Sequence, residues 1–224
     1  MSVLAHEGTY PILYGSYAVP VGSGYAPGYL ARPDQAGRFP AVLVLPDGRL
    51  RSYHRDLCRR LARHGLAALA VGLPSELERA VEHVAEAHEF LMSADVTWVI
   101  EHHLGMVGLG SGGGPGLLYA ADHAEVRAVG LVSTILDEAG PVASVLERLA
   151  IPVFGLYATT EVSGSEADDG RLPNGSFVVY AGVSGGFLDD GAPSYDSAAS
   201  ADAGRRLIDF LTQTLPPHET PRLA

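Results

Sequence analysis

The residues of this chain that could do chemistry gather around a glycine-rich turn, VGLGSGGGPG, from Val107 to Gly116. An apolar run ends there and a helical stretch begins, which is the setting of a nucleophile elbow. In such an elbow a strand reverses sharply into a helix and holds one residue at a strained apex. Small residues two before and two after the apex let the chain reverse, and the N–H of the next residue helps to hold an oxyanion. Gly108, Gly112 and Gly113 meet that need in one register, and in that register the apex is Gly110. A glycine has no nucleophile to offer. Read one residue later, the turn makes Ser111 the nucleophile but puts Leu109 where a small residue is needed, crowding the reversal. A dinucleotide loop does not fit, because the turn does not close an early first strand and no acidic ribose ligand follows at the expected distance.

Such a turn needs a sheet to carry it, and the apolar pattern supplies one. AVLVL (41–45), AALAV (67–71), MVGL (106–109), VRAVGLV (126–132), PVFGLY (152–157) and SFVVY (176–180) are continuous apolar runs, as expected of parallel strands covered on both faces. Two strands near YPILYGSYAV and GYAPGYLARP, separated by turn residues, precede them. Between the runs lie helical patterns. SYHRDLCRRLARHG sets Leu57, Cys58, Leu61 and Ala62 on one face and closes at Gly65. SELERAVEHVAEAHEFL (75–91) groups Leu77, Ala80, Val81, Val84 and Ala85, and DVTWVIEHH offers Val96, Val99 and Ile100 to a further helix that His102 and His103 would end. Another helix runs from the glycines after 111 to about Asp122, and the last from Ser197 to about Thr214. The alternation predicts a doubly wound α/β fold with a short antiparallel start, as one domain over 1–214 and a mobile tail at 215–224.

Composition narrows the function. The 224 residues are 47% hydrophobic and 18% charged, with a formal net charge of -11, which disfavours nucleic acid and anionic membrane surfaces. All 15 basic residues are arginine, so lysine Schiff-base chemistry and a P-loop are excluded. A single cysteine, Cys58, permits no internal disulfide and makes a cytoplasmic location the default. The N-terminus has neither the basic start nor the apolar core of a signal peptide. No H-E-x-x-H or comparable spacing appears, so no metal and no cofactor is expected.

Several segments, in order, resemble the dienelactone hydrolase family of the α/β-hydrolase fold. YHRDLCRRLARHGLAALAV resembles the family's helix after the third strand, and VGLGSGGG its G-x-Cys-x-G-G elbow. IPVFGLYATTE resembles the strand that delivers the catalytic acid, YAGVSGGF the segment Y-x-G-x-x-H-G-F, and YDSAASADAGRRLIDFL the closing helix. The resemblance implies an α/β-hydrolase fold. Residue by residue, it places the family's nucleophile on Gly110, its acid on Glu161, its histidine on Gly185 beside Ser184, and the carboxylate after the third strand on Asp47. Nucleophile and base are both replaced by glycine. Loss of either alone removes about 10⁶ of turnover in a serine-type triad, and the losses do not add, so a double vacancy fits a site no longer doing acyl transfer.

The expectation is therefore a non-hydrolytic enzyme acting on a small hydrophobic carbonyl or lactone-like ligand by cyclisation, isomerisation or elimination. Asp47 and Glu161 would be its acid–base pair, with backbone N–H groups near Ser111 and after Leu45 holding the oxyanion, and His54, Gly110, Ser184 and Gly185 contacting ligand. Two alternatives stand: an ester or lactone hydrolase with Ser111 as a shifted nucleophile and His54 as base, and a ligand-binding pseudoenzyme. In the bland reading His54 is a partly exposed first-turn residue and Cys58 is core.

Overall fold

The computed structural model describes residues 7–136, 140–146, 148–161 and 175–216. Eight strands form one sheet in the order β1-β2-β4-β3-β5-β6-β7-β8. β1 (Ile12–Val21) and β2 (Gly24–Pro33) make an antiparallel hairpin, and β2 runs antiparallel to β4 (Ala67–Val71). From β4 onward every neighbour is parallel, through β3 (Phe39–Leu45), β5 (Val99–Leu109), β6 (Val126–Val132), β7 (Val153–Ala158) and β8 (Gly175–Tyr180). The continuous apolar runs explain the pattern: every residue of β3 and β4 is buried, because helices cover both faces.

One face packs on α1 (Ser52–Arg63) and α5 (Ser197–Thr214) through Leu57, Cys58, Leu61, Leu207 and Leu211. The other packs on α2 (Leu77–Leu91), α3 (Gly113–Asp122) and the short α4 (Pro141–Leu146) through Val84, Leu91, Leu117 and Val145. The start of α5 is fixed by the Asp196 carboxylate, which accepts the Ala199 N–H at 2.9 Å. α1 ends as the sequence implies, with Gly65 at φ +87 just beyond it. Cys58 is fully buried, and that burial pushes its thiol up to about 12.

One expected helix is a strand. Residues from Val99 onward, read as helical with His102 and His103 at a helix end, open β5 instead. The β-branched Val99 and Ile100 suit a strand, and Phe39 pairs with Val99 while its N–H bonds to the Trp98 carbonyl at 2.8 Å. An irregularity hid the strand from its periodicity: His102 sits at φ +63 and the register shifts between Leu104 and Gly105. Of the expected tail, only Leu215 and Pro216 are described; Leu215 is buried and donates its N–H to the Leu211 carbonyl at 2.8 Å. Among the described residues, no helix is long and apolar enough to cross a membrane.

The strand order reverses at β3, since β4 lies on one side of it and β5 on the other. In open α/β sheets the crevice beyond the strand ends at such a switch point is where ligands sit. Here it is flanked by the loop after β3, which carries Asp47, and the turn after β5, which carries Gly110 and Ser111.

Candidate active site

The turn after β5 settles its own register. Gly110 is the residue at positive φ, +54, between the end of β5 and the short 3-10 turn Gly110–Gly112 that leads into α3. A Cβ added at Gly108 would lie 2.2 Å from the Gly113 α-carbon, and one at Gly112 would lie 2.1 Å from the Leu45 carbonyl oxygen. Both contacts are with backbone, which cannot give way, so these two positions require glycine. They stand two before and two after Gly110. The strained apex is therefore Gly110 and not Ser111, whose side chain is exposed on the first turn beyond it.

Asp47 lies directly against that apex. A Cβ at Gly110 would be 3.0 Å from the Asp47 Cβ and 3.6 Å from Oδ2. On its other side Oδ1 accepts a hydrogen bond from the Tyr53 hydroxyl at 3.3 Å and lies 3.9 Å from His54 Nε2. Burial, and next the charge of Asp47, raise the Tyr53 phenol well above its ordinary value, so it stays a donor. Sequence reasoning missed Tyr53 because an aromatic on the first turn of a helix reads as surface or packing.

His54 is placed differently from either sequence expectation. Its side chain is wholly buried beneath Asp47, its ring centroid 3.9 Å from that of Tyr53 with the planes tilted by 35°, so it neither lines the cavity nor sits partly exposed. The Arg51 N–H donates to its Nδ1 at 2.9 Å, which puts the ring proton on Nε2, where no hydrogen-bond partner is found. Burial, and then the nearby Arg51 charge, lower its pKa to about 4. The sign follows. Between about pH 6.5 and about 4 the unfolded chain binds a proton here that the folded chain does not, so stability falls on acidification by up to about 3 kcal/mol from this group. Urea unfolding at about pH 7.5 and about pH 4.5 is expected to show a steeper loss in the parent than in His54→Asn, which keeps an acceptor but cannot titrate. Equal losses would mean that His54 is not held neutral.

Glu161 lies in a 3-10 turn after β7, and its Oε2 accepts the Ala158 N–H at 2.9 Å. Its other oxygen occupies the space left at the second vacancy: a Cβ at Gly185 would be 2.5 Å from Glu161 Oε1. The Gly185 N–H donates to Thr160 Oγ1 at 3.2 Å, tying the two segments together. Among the described residues the buried Tyr157 hydroxyl has no hydrogen-bond partner, and burial together with the Glu161 charge raises its pKa. Glu161 and Gly185 are thus adjacent.

A cavity of about 1020 Å³ opens at the switch point, walled by the β1–β2 hairpin, the loops after β3 and β4, the start of α2 and the elbow. Asp47 and Ser111 are on its wall, whereas Gly110, His54, Glu161, Ser184 and Gly185, also expected at the site, do not line it. The two carboxylates expected as a pair therefore occupy separate places, because Glu161 is folded back onto Ala158 and Gly185.

A brace behind the site was also illegible in sequence. Arg51 NH1 bonds Asp189 Oδ2 at 2.7 Å and Ser52 Oγ bonds Asp190 Oδ1 at 2.8 Å, strapping the loop after Gly185 to the start of α1. Asp189 is buried, which opposes its charge, but hydrogen bonds from Arg51 and the Gly191 N–H hold its carboxyl below the usual range. The adjacent Asp189 and Asp190 gave the only signal, and nothing in their spacing pointed 138 residues back.

The sequence profile of the Dienelactone hydrolase family matches residues 26–215. A Methylorubrum extorquens protein named provisionally as a carboxymethylenebutenolidase is 28% identical over 90% of this chain and 81% of its own length. A Yersinia pestis protein with the same name is 27% identical over 92% of this chain and 90% of its own. In three dimensions a dienelactone hydrolase from Anabaena variabilis superimposes with a TM-score of 0.75 at 18% identity, covering 91% of this chain and 99% of that one. A Klebsiella pneumoniae structure provisionally given the same enzyme name reaches 0.78 at 23% identity, with coverage of 91% and 99%.

Proposed function

The chain belongs to the dienelactone hydrolase family, and from that premise we propose that it is a member that has given up acyl transfer and uses the same crevice for proton transfer on a carbonyl compound. The observation that carries this reading is the apex at Gly110, where positive φ and the two required glycines fix the register and Asp47 fills the approach. A carbonyl substrate seated over Gly110 would direct its oxygen to the backbone N–H of Ser111, as an oxyanion does in a working elbow. Its acidic carbon would face Asp47 Oδ2. Asp47 takes the proton to leave an enolate and returns it at another carbon, or after ring closure or loss of a leaving group. The reaction class is isomerisation, cyclisation or elimination of a hydrophobic carbonyl compound. The Tyr53 hydroxyl donates to Oδ1, which orients the carboxylate and leaves Oδ2 toward the elbow.

The reading with Ser111 as nucleophile has one observation in its favour, the exposure of that side chain on the cavity wall. Two measurements separate the readings. In D₂O the protein is expected to speed deuterium uptake at the carbon beside the carbonyl of 2-tetralone, followed by mass spectrometry. Release of p-nitrophenol from p-nitrophenyl acetate is expected to stay at background in both the parent and Ser111→Ala. Ester turnover that disappears in Ser111→Ala would return the protein to the hydrolases. Neither exchange nor turnover would make it a binding protein.

A further inference from the structure

We propose, resting on the reading of this cavity as the reaction site, that its ligand is a flat fused-ring aromatic compound bearing an acidic group, stacked on Tyr25 of the hairpin and paired with Arg49 and Arg55. The hairpin is built to reach over the cavity. β2 pairs with β4 only from Gly28 to Ala31, so the tip, with Tyr17 and Tyr25 near it, projects beyond the C-terminal end of β4. Two contacts hold it against α2: the Gly22 N–H donates to Glu86 at 2.5 Å, and the Tyr17 ring lies 5.0 Å from that of Phe90. Tyr17 and Tyr25 nonetheless remain 40% and 74% exposed on the cavity wall, on opposite faces of the hairpin, since Tyr17 pairs with Gly28 and Tyr25 with Pro20. Tyr25 shares its face with Tyr29, over which Arg55 lies; a large aromatic side chain left bare beside a concavity gains most from an apolar partner, and its flat face favours a planar one.

The charge of the wall is the second observation. Among the described residues Asp47 is its only carboxylate, while Arg49 and Arg55 both line it. Neither forms an ion pair among the described residues, although Arg38, Arg51, Arg59, Arg205 and Arg206 each do in this acidic chain. Arg55 is held over the Tyr29 ring at 5.9 Å. Two guanidinium groups without carboxylates, beside aromatic walls, suit an anion carried on a ring system. The volume of about 1020 Å³ sets the size, since a single small ring would leave most of it empty.

The test is calorimetric binding of anthraquinone-2-carboxylate beside its neutral carboxamide, benzoate and decanoate. The carboxylate is expected to bind about tenfold or more tighter than each of the other three. Arg49→Gln with Arg55→Gln should erase the preference for acid over amide, and Tyr25→Ala should weaken both by about fivefold. Both sites are exposed, so these variants should fold. Equal binding of acid and amide, decanoate binding as tightly as the aromatic acid, or no effect of Tyr25→Ala would each overturn the proposal. Retained aromatic-acid selectivity without deuterium exchange would count against the proton-transfer reading alone, and exchange without that selectivity against this proposal alone.

Discussion

Placing cysteine at Gly110 and histidine at Gly185 in one molecule is expected to raise turnover of p-nitrophenyl acetate by about 10²–10⁴ over the parent, with either substitution alone close to background. The scaffold keeps what the two side chains need. Gly110 already has the elbow's positive φ, and Gly108 and Gly112 already supply the two close approaches. A Cβ at 110 meets Asp47 at 3.0 Å, which asks for a shift of a few tenths of an ångström. At 185 the obstacle is the end of the Glu161 side chain, which can rotate aside and then accept a hydrogen bond from the new imidazole. The gain stays below the full 10⁶ of a triad because an error of about 1 Å in placement costs about 10². Alkylation by iodoacetamide gives a second readout: Cys58 is buried and its thiol raised to about 12, so rapid labelling in the double variant reports the thiol at 110. A folded double variant without gain in either readout would mean that the apex does not present a side chain to the site.

Asp47→Asn carries the second large effect. It is expected to lower deuterium exchange into 2-tetralone by about 10²–10⁴, the usual contribution of a positioned acid or base. Asparagine keeps the shape and an oxygen for the Tyr53 hydroxyl, so the fold and the cavity should be preserved. Among the described residues Asp47 is the only carboxylate on the cavity wall. Exchange retained above a tenth of the parent rate would move the base elsewhere, with His83, also on that wall, the first place to look.

The parts of this site that sequence made legible are those enforced by backbone. Gly108 and Gly112 announce the elbow because a Cβ at either would enter another stretch of main chain, and the fully buried strands announce themselves as unbroken apolar runs. What escaped reading depends on side chains meeting across the fold. The Arg51–Asp189 bond joins residues far apart in the chain, and the donor from Tyr53 to Asp47 exists only because α1 begins beside the loop after β3. His54 misled because its polarity suggested exposure, whereas its Nδ1 is satisfied by the Arg51 N–H and its ring by Tyr53. The start of β5 misled through a positive-φ residue and a register shift that break strand periodicity. Glu161 was expected to share a pocket with Asp47, whereas it folds back beside Gly185, in a direction set by the Ala158 N–H, which no spacing encodes.

The hairpin that overhangs the cavity has a consequence for how such proteins diverge. Its two ten-residue arms pair with each other along their whole length but grip the rest of the sheet through four residue pairs. Folding of the central sheet and the shape of the cavity wall are therefore underwritten by different stretches of chain. Changes at Tyr17 or Tyr25 alter what fits while leaving the buried strands untouched. Relatives that share the sheet can drift apart in ligand long before they drift apart in architecture, and grafting the tip alone is the economical way to exchange their preferences.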